Sequence, residues 1–340
     1  MGIWTDAVNR RAMLIHEQLY AMLQVAEQTD IDKRSLSQPY LDLLSSLYSD
    51  EFPFAQLADT SDLIAHFDGP AVSLQDPPVS LVASAFTDIR DQIRGIAKSV
   101  AGLSNEQRSK WPSELDPFLS GLAHGSLIIG VRVPRPEDSK VSYQLSLPNV
   151  TEQLYQSVRS AVISLSNVSR FIESDKVSDG ISEFLPDPAV RDTVMVAASK
   201  LAPSGRKGIT SLSLIGPATE GRNGGALTPE SRKVLNRSLT KPAKISGSGT
   251  FDGVVRQVDL DSRRFEIRRV RGAGAIRCMY EPRLGSTVKL ILDSRVAVEG
   301  DYEVAEDSQP RLIQVKSINV LNTPAEQLLI DNIDGVGDDA

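Results

Sequence analysis

The chain has 340 residues, of which 41% are hydrophobic and 24% are charged, and these ordinary values exclude wholesale disorder. No apolar run approaches the roughly 18 residues that a membrane-spanning helix needs, and residues 1–6 lack the layout of a secretion signal. A single cysteine excludes an internal disulfide framework and a cysteine-based zinc site, and the three histidines are too far apart in sequence to suggest a metal centre. We therefore expect a cytoplasmic protein of two or three domains with no metal and no cofactor.

The formal net charge of −7 is distributed unevenly along the chain. Residues 1–200 carry 17 basic and 26 acidic side chains, residues 201–245 carry 8 and 2, residues 246–323 carry 12 and 11, and residues 324–340 carry 0 and 5. The acidic N-terminal part, the basic central segment and the acidic C-terminal end indicate either three electrostatic roles or three solvated surfaces.

Most of the first 200 residues are predicted to be helical, because apolar side chains recur at alternating intervals of four and three. The predicted helices cover residues 8–26, 36–48, 82–100, 149–172 and 190–201. Asn149 can cap the fourth of these, and Asp187 followed by Pro188 begins the fifth. The polar residues 49–51 and Pro53 predict the end of the second.

Strands interrupt these helices. Residues 126–133 and 141–147 are predicted to pair through a hairpin loop at 134–140, and residues 211–215 add a third strand to the same small sheet. The sequence therefore predicts a helix-rich α+β domain over residues 1–216. Its long apolar helical faces could contact a protein partner or a second copy of the chain.

Residues 217–248 are predicted to form a basic, flexible linker with one short helix. Glycine-rich loop chemistry precedes Thr228, Pro229 and Glu230, which together begin that helix. The helix carries three cations, Arg232, Lys233 and Arg237. Clustered positive charge suits contact with phosphate. It equally suits an acidic protein partner, including the acidic first domain of this chain.

Residues 249–322 are predicted to form a small antiparallel barrel of short strands. The strands are expected over residues 251–260, 263–271, 276–280, 288–292, 296–300 and 312–321. Turn residues separate them at 261–262 and 272–274. Alternation places Phe265 on the core face and Arg264 on the outer face.

Five segments of this barrel carry a resemblance to a known fold. They are residues 253–259, 263–267, 276–278, the motif Val298-Glu299-Gly300 and residues 312–318. The pattern resembles the OB-fold, a small Greek-key barrel that often lays single-stranded nucleic acid across its second and third strands. The resemblance implies a binding face that presents Arg264, Arg268 and Arg277, with Arg256, Arg269, Arg271 and Lys289 nearby.

The sequence offers no complete catalytic or metal-binding motif. His16 and Glu17 begin like a metalloprotease helix, but Tyr20 occupies the place of the second histidine. Neither a Walker phosphate-binding loop nor a Gly-x-Ser-x-Gly elbow occurs. Cys278 falls on an apolar strand face and is interpreted as a core residue, and His124 as a structural or surface residue. We therefore predict no catalytic residue.

Two functions are compatible with these patterns. The first is a non-enzymatic, nucleic-acid-binding accessory protein that contacts single strands or their backbone through the basic linker and the barrel. The alternative is a protein-interaction module, such as an adaptor, an inhibitor or an antitoxin-like partner, without nucleic-acid binding. The acidic tail, residues 323–340, is interpreted either as a frayed terminus or as a short motif that docks on a basic surface.

Overall fold

The computed structural model describes residues 2–29, 32–72, 77–102, 111–123, 126–136, 148–205, 208–216, 225–268, 275–305 and 309–322. The described chain forms two units, a helix-rich unit with a five-stranded sheet and a closed five-stranded barrel. The predicted α+β class is confirmed. The acidic tail lies outside the described residues.

Three helices at the start of the chain share a small core. Helix α1 spans Ile3–Thr29, α2 spans Lys33–Ser46 and α3 spans Phe52–Thr60. The predicted apolar face of α1 is buried through Val8 and Ala12, in one cluster with Leu44 and Ala55. Asp59 near the end of α3 accepts hydrogen bonds from the backbone N–H groups at the start of α1, which fixes the angle between these helices.

The polar residues 49–51 and Pro53 predict that the helical conformation ends after α2, but the structure shows that it continues. A π-helix, Leu47–Glu51, follows α2 directly and leads into α3. Pro53 lies in the first turn of α3, a position at which proline is tolerated because its fixed φ suits a helix. The buried Leu47 holds this segment against the small core.

The sheet of the first unit has five strands with antiparallel neighbours in the order β2-β3-β1-β4-β5. Its strands are β1 (Leu63–Asp68), β2 (Phe118–Ala123), β3 (Leu127–Arg132), β4 (Ser211–Ile215) and β5 (Ala226–Leu227). Strands β3 and β4 confirm two predictions, whereas β1 and β2 have no counterpart among the predicted strands. The strand predicted at 141–147 lies outside the described residues.

Five further helices belong to this unit. They are α4 (Val79–Val100), α5 (Pro148–Asn167), α6 (Gly180–Phe184), α7 (Pro188–Leu201) and α8 (Pro229–Ser238). Side chains such as Ile93 of α4, Leu165 of α5 and Val194 of α7 share the main core with Ala65 of β1. Leu235 of α8 belongs to the same core, so this part of the predicted linker packs into the first unit.

The second unit is a closed barrel with the strand order β10-β8-β7-β6-β9. Its strands are β6 (Gly247–Asp259), β7 (Arg264–Arg268), β8 (Ala275–Tyr280), β9 (Arg295–Val304) and β10 (Pro310–Asn322). All neighbours pair antiparallel except β8 and β10, which pair parallel. This arrangement is compatible with an OB-like barrel.

The strand predicted over residues 288–292 is wrong. A 3₁₀ turn, Pro282–Leu284, and a short helix α9, Gly285–Val288, occupy the connection between β8 and β9. Val288 is buried, but Leu290 is 83% exposed, so the apparent alternation does not mark one core face. The helical turn closes one end of the barrel, where Val288 and Ile291 join its core.

Candidate nucleic-acid interface

Helix α7 joins the two units. Asp187 caps it by accepting hydrogen bonds from the backbone N–H of Ala189 at 2.8 Å and of Val190 at 3.4 Å, and Pro188 takes the first helical position, as predicted. Twelve of its 14 residues are buried. One side of the helix contributes to the main core and another meets the outer surface of the barrel.

A carboxylate of α7 binds two arginines of the barrel. Nε of Arg264 lies 3.0 Å from Asp192 Oδ2, and Nη2 of Arg264 lies 2.8 Å from Oδ1. Nε of Arg277 donates a further hydrogen bond to Oδ2. The side chains of Asp192 and Arg264 are 3% and 6% exposed, so water contributes almost nothing to their solvation. Their charges are instead balanced by one another.

Two more ion pairs flank this junction between α7 and the barrel. Arg191 donates to the buried carboxylate of Glu303 on β9, and also to the carbonyl oxygen of Leu185 at 2.9 Å. Arg311 on β10 donates to Asp187 at 2.9 Å. The N-terminal half of α7 is therefore attached to β7, β8, β9 and β10 by hydrogen-bonded charges.

Stability should fall in acid because of Asp192. Burial raises the pKa of this carboxyl group, but the charges and hydrogen bonds of Arg264 and Arg277 outweigh burial and lower the pKa from 3.8 to about 2. The stabilisation by the ionised carboxylate is complete at a pH well above the pKa of this group in the unfolded chain. It is lost as the pH falls from about 4 towards about 2. We expect a loss of about 2 kcal/mol from this group, measured by urea unfolding between pH 5 and pH 2. An unfolding free energy that stays constant over this range would contradict the assignment.

The face of the barrel that the OB-fold resemblance assigns to ligand binding is covered by this junction. Arg264 of β7 and Met279 of β8 are buried at 5% and 2% exposure, and Met279 lines the same cavity as Met195 of α7. Arg264 lies on the outer side of the strand, as the alternation predicts, but α7 covers it. Because Asp192 holds both Arg264 and Arg277 by ion pairs at this junction, we leave both out of the proposed interface.

The structure disperses the other predicted cations. Arg232, Lys233 and Arg237 lie on α8, with Lys233 and Arg237 exposed. On the barrel, Arg268 and Lys289 are exposed, and Arg256 lies 3.4 Å from the carboxylate of Asp293. Arg269 and Arg271 lie outside the described residues. The predicted residues thus do not form one continuous surface, and the three on α8 are the closest set.

A groove of about 680 Å³ runs between α7, the end of α8 and the barrel. Five cationic side chains line it, namely Lys200, Arg232, Lys241, Arg263 and Arg264, together with the carboxylates Asp261 and Glu281. Lys200 is paired with Asp259 at 3.1 Å, whereas neither Lys241 nor Arg263 forms an ion pair with another described residue. The groove therefore retains positive charge after its internal pairs are counted.

Sequence analysis did not single out Lys241, Lys200 or Arg263 as binding residues. Lys241 belongs to the predicted basic linker, so its position in a charge-rich segment is the one signal that could have found it. Arg263 has a positive φ of 55° at the turn between β6 and β7, a geometry that the charge pattern does not reveal. Only the packing of α8 against α7 brings these residues to one place.

A polar cluster on β1, opposite the main core, also has no counterpart among the predicted site residues. His66 Nε2 lies 2.5 Å from Ser126 Oγ and 3.1 Å from Asp68 Oδ1. A Ser-His-Asp relay requires the carboxylate to hold the other ring nitrogen, Nδ1, but here both neighbours share Nε2. The geometry therefore assigns no catalytic role to these residues.

Cys278 is fully buried in the barrel core, as predicted, and burial raises the pKa of its thiol. Within the described ranges, no three histidine, cysteine or acidic side chains are grouped as metal ligands would be. Each helix of those ranges is too short or too polar to cross a membrane. Comparison with protein-family models, with curated proteins and with solved structures finds no match for this chain.

Proposed function

We propose that the protein is a non-enzymatic accessory protein that binds the backbone of single-stranded nucleic acid in the groove between α7, α8 and the barrel. One observation carries the proposal. Arg232 of α8, Lys241 just after this helix and Arg263 of the turn between β6 and β7 line a single groove. Cations that converge at one accessible concavity are what recognition of a polyanion requires.

The surroundings of the groove support a backbone-directed mode of binding. The exposed cations Lys233, Arg237 and Lys244 follow along α8 and the segment after it, so positive charge continues beyond the groove. Tyr280 is the aromatic residue of the lining, and it is only 6% exposed, so it offers little surface for base stacking. We therefore infer contacts to phosphates with little preference for sequence.

The resemblance to the OB-fold supports a binding role, with the site displaced from its usual place. Helix α7 occupies the face of β7 and β8, and the groove opens at the edge of that face, where Met279 and Tyr280 still contribute to it. The proposed ligand would thus contact the barrel at its rim and α8 at the same time.

Binding should weaken steeply with salt, because each phosphate contact releases a counterion. Three contacts predict an affinity for a labelled 20-nucleotide thymidine oligomer that is about twentyfold weaker at 200 mM than at 50 mM salt. The double variant Lys241→Glu with Arg263→Glu should lower the affinity and remove more than half of this salt dependence. Fluorescence anisotropy at both salt concentrations measures both effects.

The control is Arg90→Glu, which reverses an exposed charge on α4 outside the groove. It should bind like the wild type. Absence of oligonucleotide binding at 50 mM salt, or equal losses from the control and the groove variant, would overturn the proposal. That outcome would favour the alternative, a protein-interaction module whose groove takes an acidic segment of another protein.

A further inference from the structure

Helix α1 carries a second stripe of residues besides its buried face. Ile3, Ala7, Arg10, Leu14, Gln18, Ala21 and Val25 follow one another at intervals of four, three, four, four, three and four, and all of them are exposed. The buried face of the same helix runs through Val8, Ala12 and Ala26. A spacing that averages 3.7 residues keeps the exposed stripe on one side of a straight helix of 27 residues.

The exposed stripe is symmetrical about its centre. Ile3 and Val25 stand equally far from Leu14, and so do Ala7 and Ala21. In an antiparallel helix pair with two-fold symmetry, residue i of one copy meets residue j of the other, and j meets i, so a stripe with this symmetry faces itself along its length. We propose that α1 packs antiparallel against α1 of a second copy of this chain, with the two-fold axis at Leu14.

The paired positions match in size and polarity. In this arrangement Leu14 meets Leu14, Ile3 meets Val25, and the small Ala7 and Ala21 face each other on both sides of the axis. Small residues at these positions let the two helix axes approach to within about 8–10 Å. Large apolar side chains then exclude water at the centre of the stripe and at both of its ends.

Charge selects the antiparallel orientation. Arg10 of one copy lies beside Glu17 and Gln18 of the other, whereas a parallel pair would place Arg10 against Arg10. Arg10 forms no ion pair with another described residue, and its neighbour Arg11 is already bound to Glu51 within the chain. Opposite charges therefore face each other once on each side of the axis.

The exposed hydrophobic side chains of this region also favour binding of a protein partner. Of the 20 large hydrophobic side chains that are exposed in the described part of the chain, nine lie between Ile3 and Tyr48. Ile3 is 85% exposed and Leu14 is 58% exposed. Such a concentration of apolar surface is typical of an interface rather than of a solvated helix.

Cross-linking tests the axis directly. The chain has one cysteine, Cys278, and it is fully buried, so Leu14→Cys adds a single accessible thiol at the proposed axis. Mild oxidation should convert Leu14→Cys into a covalent dimer. The matched control Met13→Cys stands at a neighbouring position with a similar exposure of 62%, but it points about 100° away around the helix and should not cross-link. Equal cross-linking of both variants, or none by Leu14→Cys, would refute the axis.

Sedimentation equilibrium tests the association without cysteines. The wild type should be a dimer, and Leu14→Glu should raise the dissociation constant about a hundredfold, because two like charges then meet at the axis. Met13→Glu should remain dimeric.

Arg10→Glu and Glu17→Arg should each weaken the dimer, and their combination should restore it. Circular dichroism of each variant shows that α1 still folds. A monomeric wild type at 100 µM, about the upper range of such measurements, or a double variant no better than the single ones, would overturn the proposal.

Discussion

Replacing Asp192 with asparagine is expected to lower the free energy of unfolding by about 3 kcal/mol, slightly more than the loss expected from protonating the same carboxyl group. The substitution removes the one negative charge to which both Arg264 and Arg277 bind, and it changes the shape of the side chain very little. Arg264 is 6% exposed and would keep its charge without a counterion, which is the costly case for a buried ion pair. Because these contacts join α7 to β7 and β8, the loss should affect the association of the two units.

Urea unfolding at pH 7 measures this effect, and Asp259→Asn is the matched control. Asp259 also pairs one cation from α7, Lys200, but the two side chains are 31% and 39% exposed. Removing the charge of Asp259 should therefore lower the free energy of unfolding by about 1 kcal/mol or less. If Asp192→Asn costs no more than the control, the buried network does not hold the units together. The triple variant Asp192→Leu, Arg264→Met and Arg277→Leu should recover much of the lost stability, since it removes the charges as a set.

Local signals were enough to predict most of the helices. The capping residues Asp187 and Thr228 each accept a hydrogen bond from a backbone N–H in the first turn of the helix that they begin, as expected from their side chains. Strand β1, in contrast, is a short run of which Leu63–Ala65 are buried together, so it lacks the alternation that identifies a strand. Its position in the middle of the sheet is decided by pairing with β3 and β4, which the sequence does not encode locally.

The candidate site was predictable only in part, for a similar reason. Charge density along the chain identifies the basic segment that contains α8, and alternation correctly places Arg264 on the outside of the barrel. Neither signal shows that Asp192, which is 72 residues earlier, neutralises this arginine. A clue was present in α7 itself, because residues 188–201 are largely apolar on every side of the helix, a pattern typical of a helix covered on all faces.

The barrel should not tolerate a side chain at Gly300, the last residue of the motif that supports the OB-fold resemblance. A Cβ atom at this position would lie 2.0 Å from the carbonyl oxygen of Gln314 on the neighbouring strand β10. The obstacle is backbone, so it cannot rotate away, and β9 and β10 would have to separate where they close the barrel. We expect Gly300→Ala to destabilise the protein by about 3 kcal/mol, at the upper end of the range for overpacking.

Gly249 provides the control for this prediction, because it pairs directly with Gly300 across β6 and β9. A Cβ atom at Gly249 would meet the ring of Phe251 at 3.4 Å, an ordinary contact, so Gly249→Ala should change stability by less than about 1 kcal/mol.

Cys278 lies in the barrel core and reports on the barrel alone, since its thiol reacts with Ellman's reagent only when the strands open. Gly300→Ala should accelerate this reaction about a hundredfold, in keeping with its loss of stability, and Gly249→Ala should leave it nearly unchanged. Equal rates for the two variants would show that β9 and β10 can adjust, and that the glycine of the motif is not a steric requirement of barrel closure.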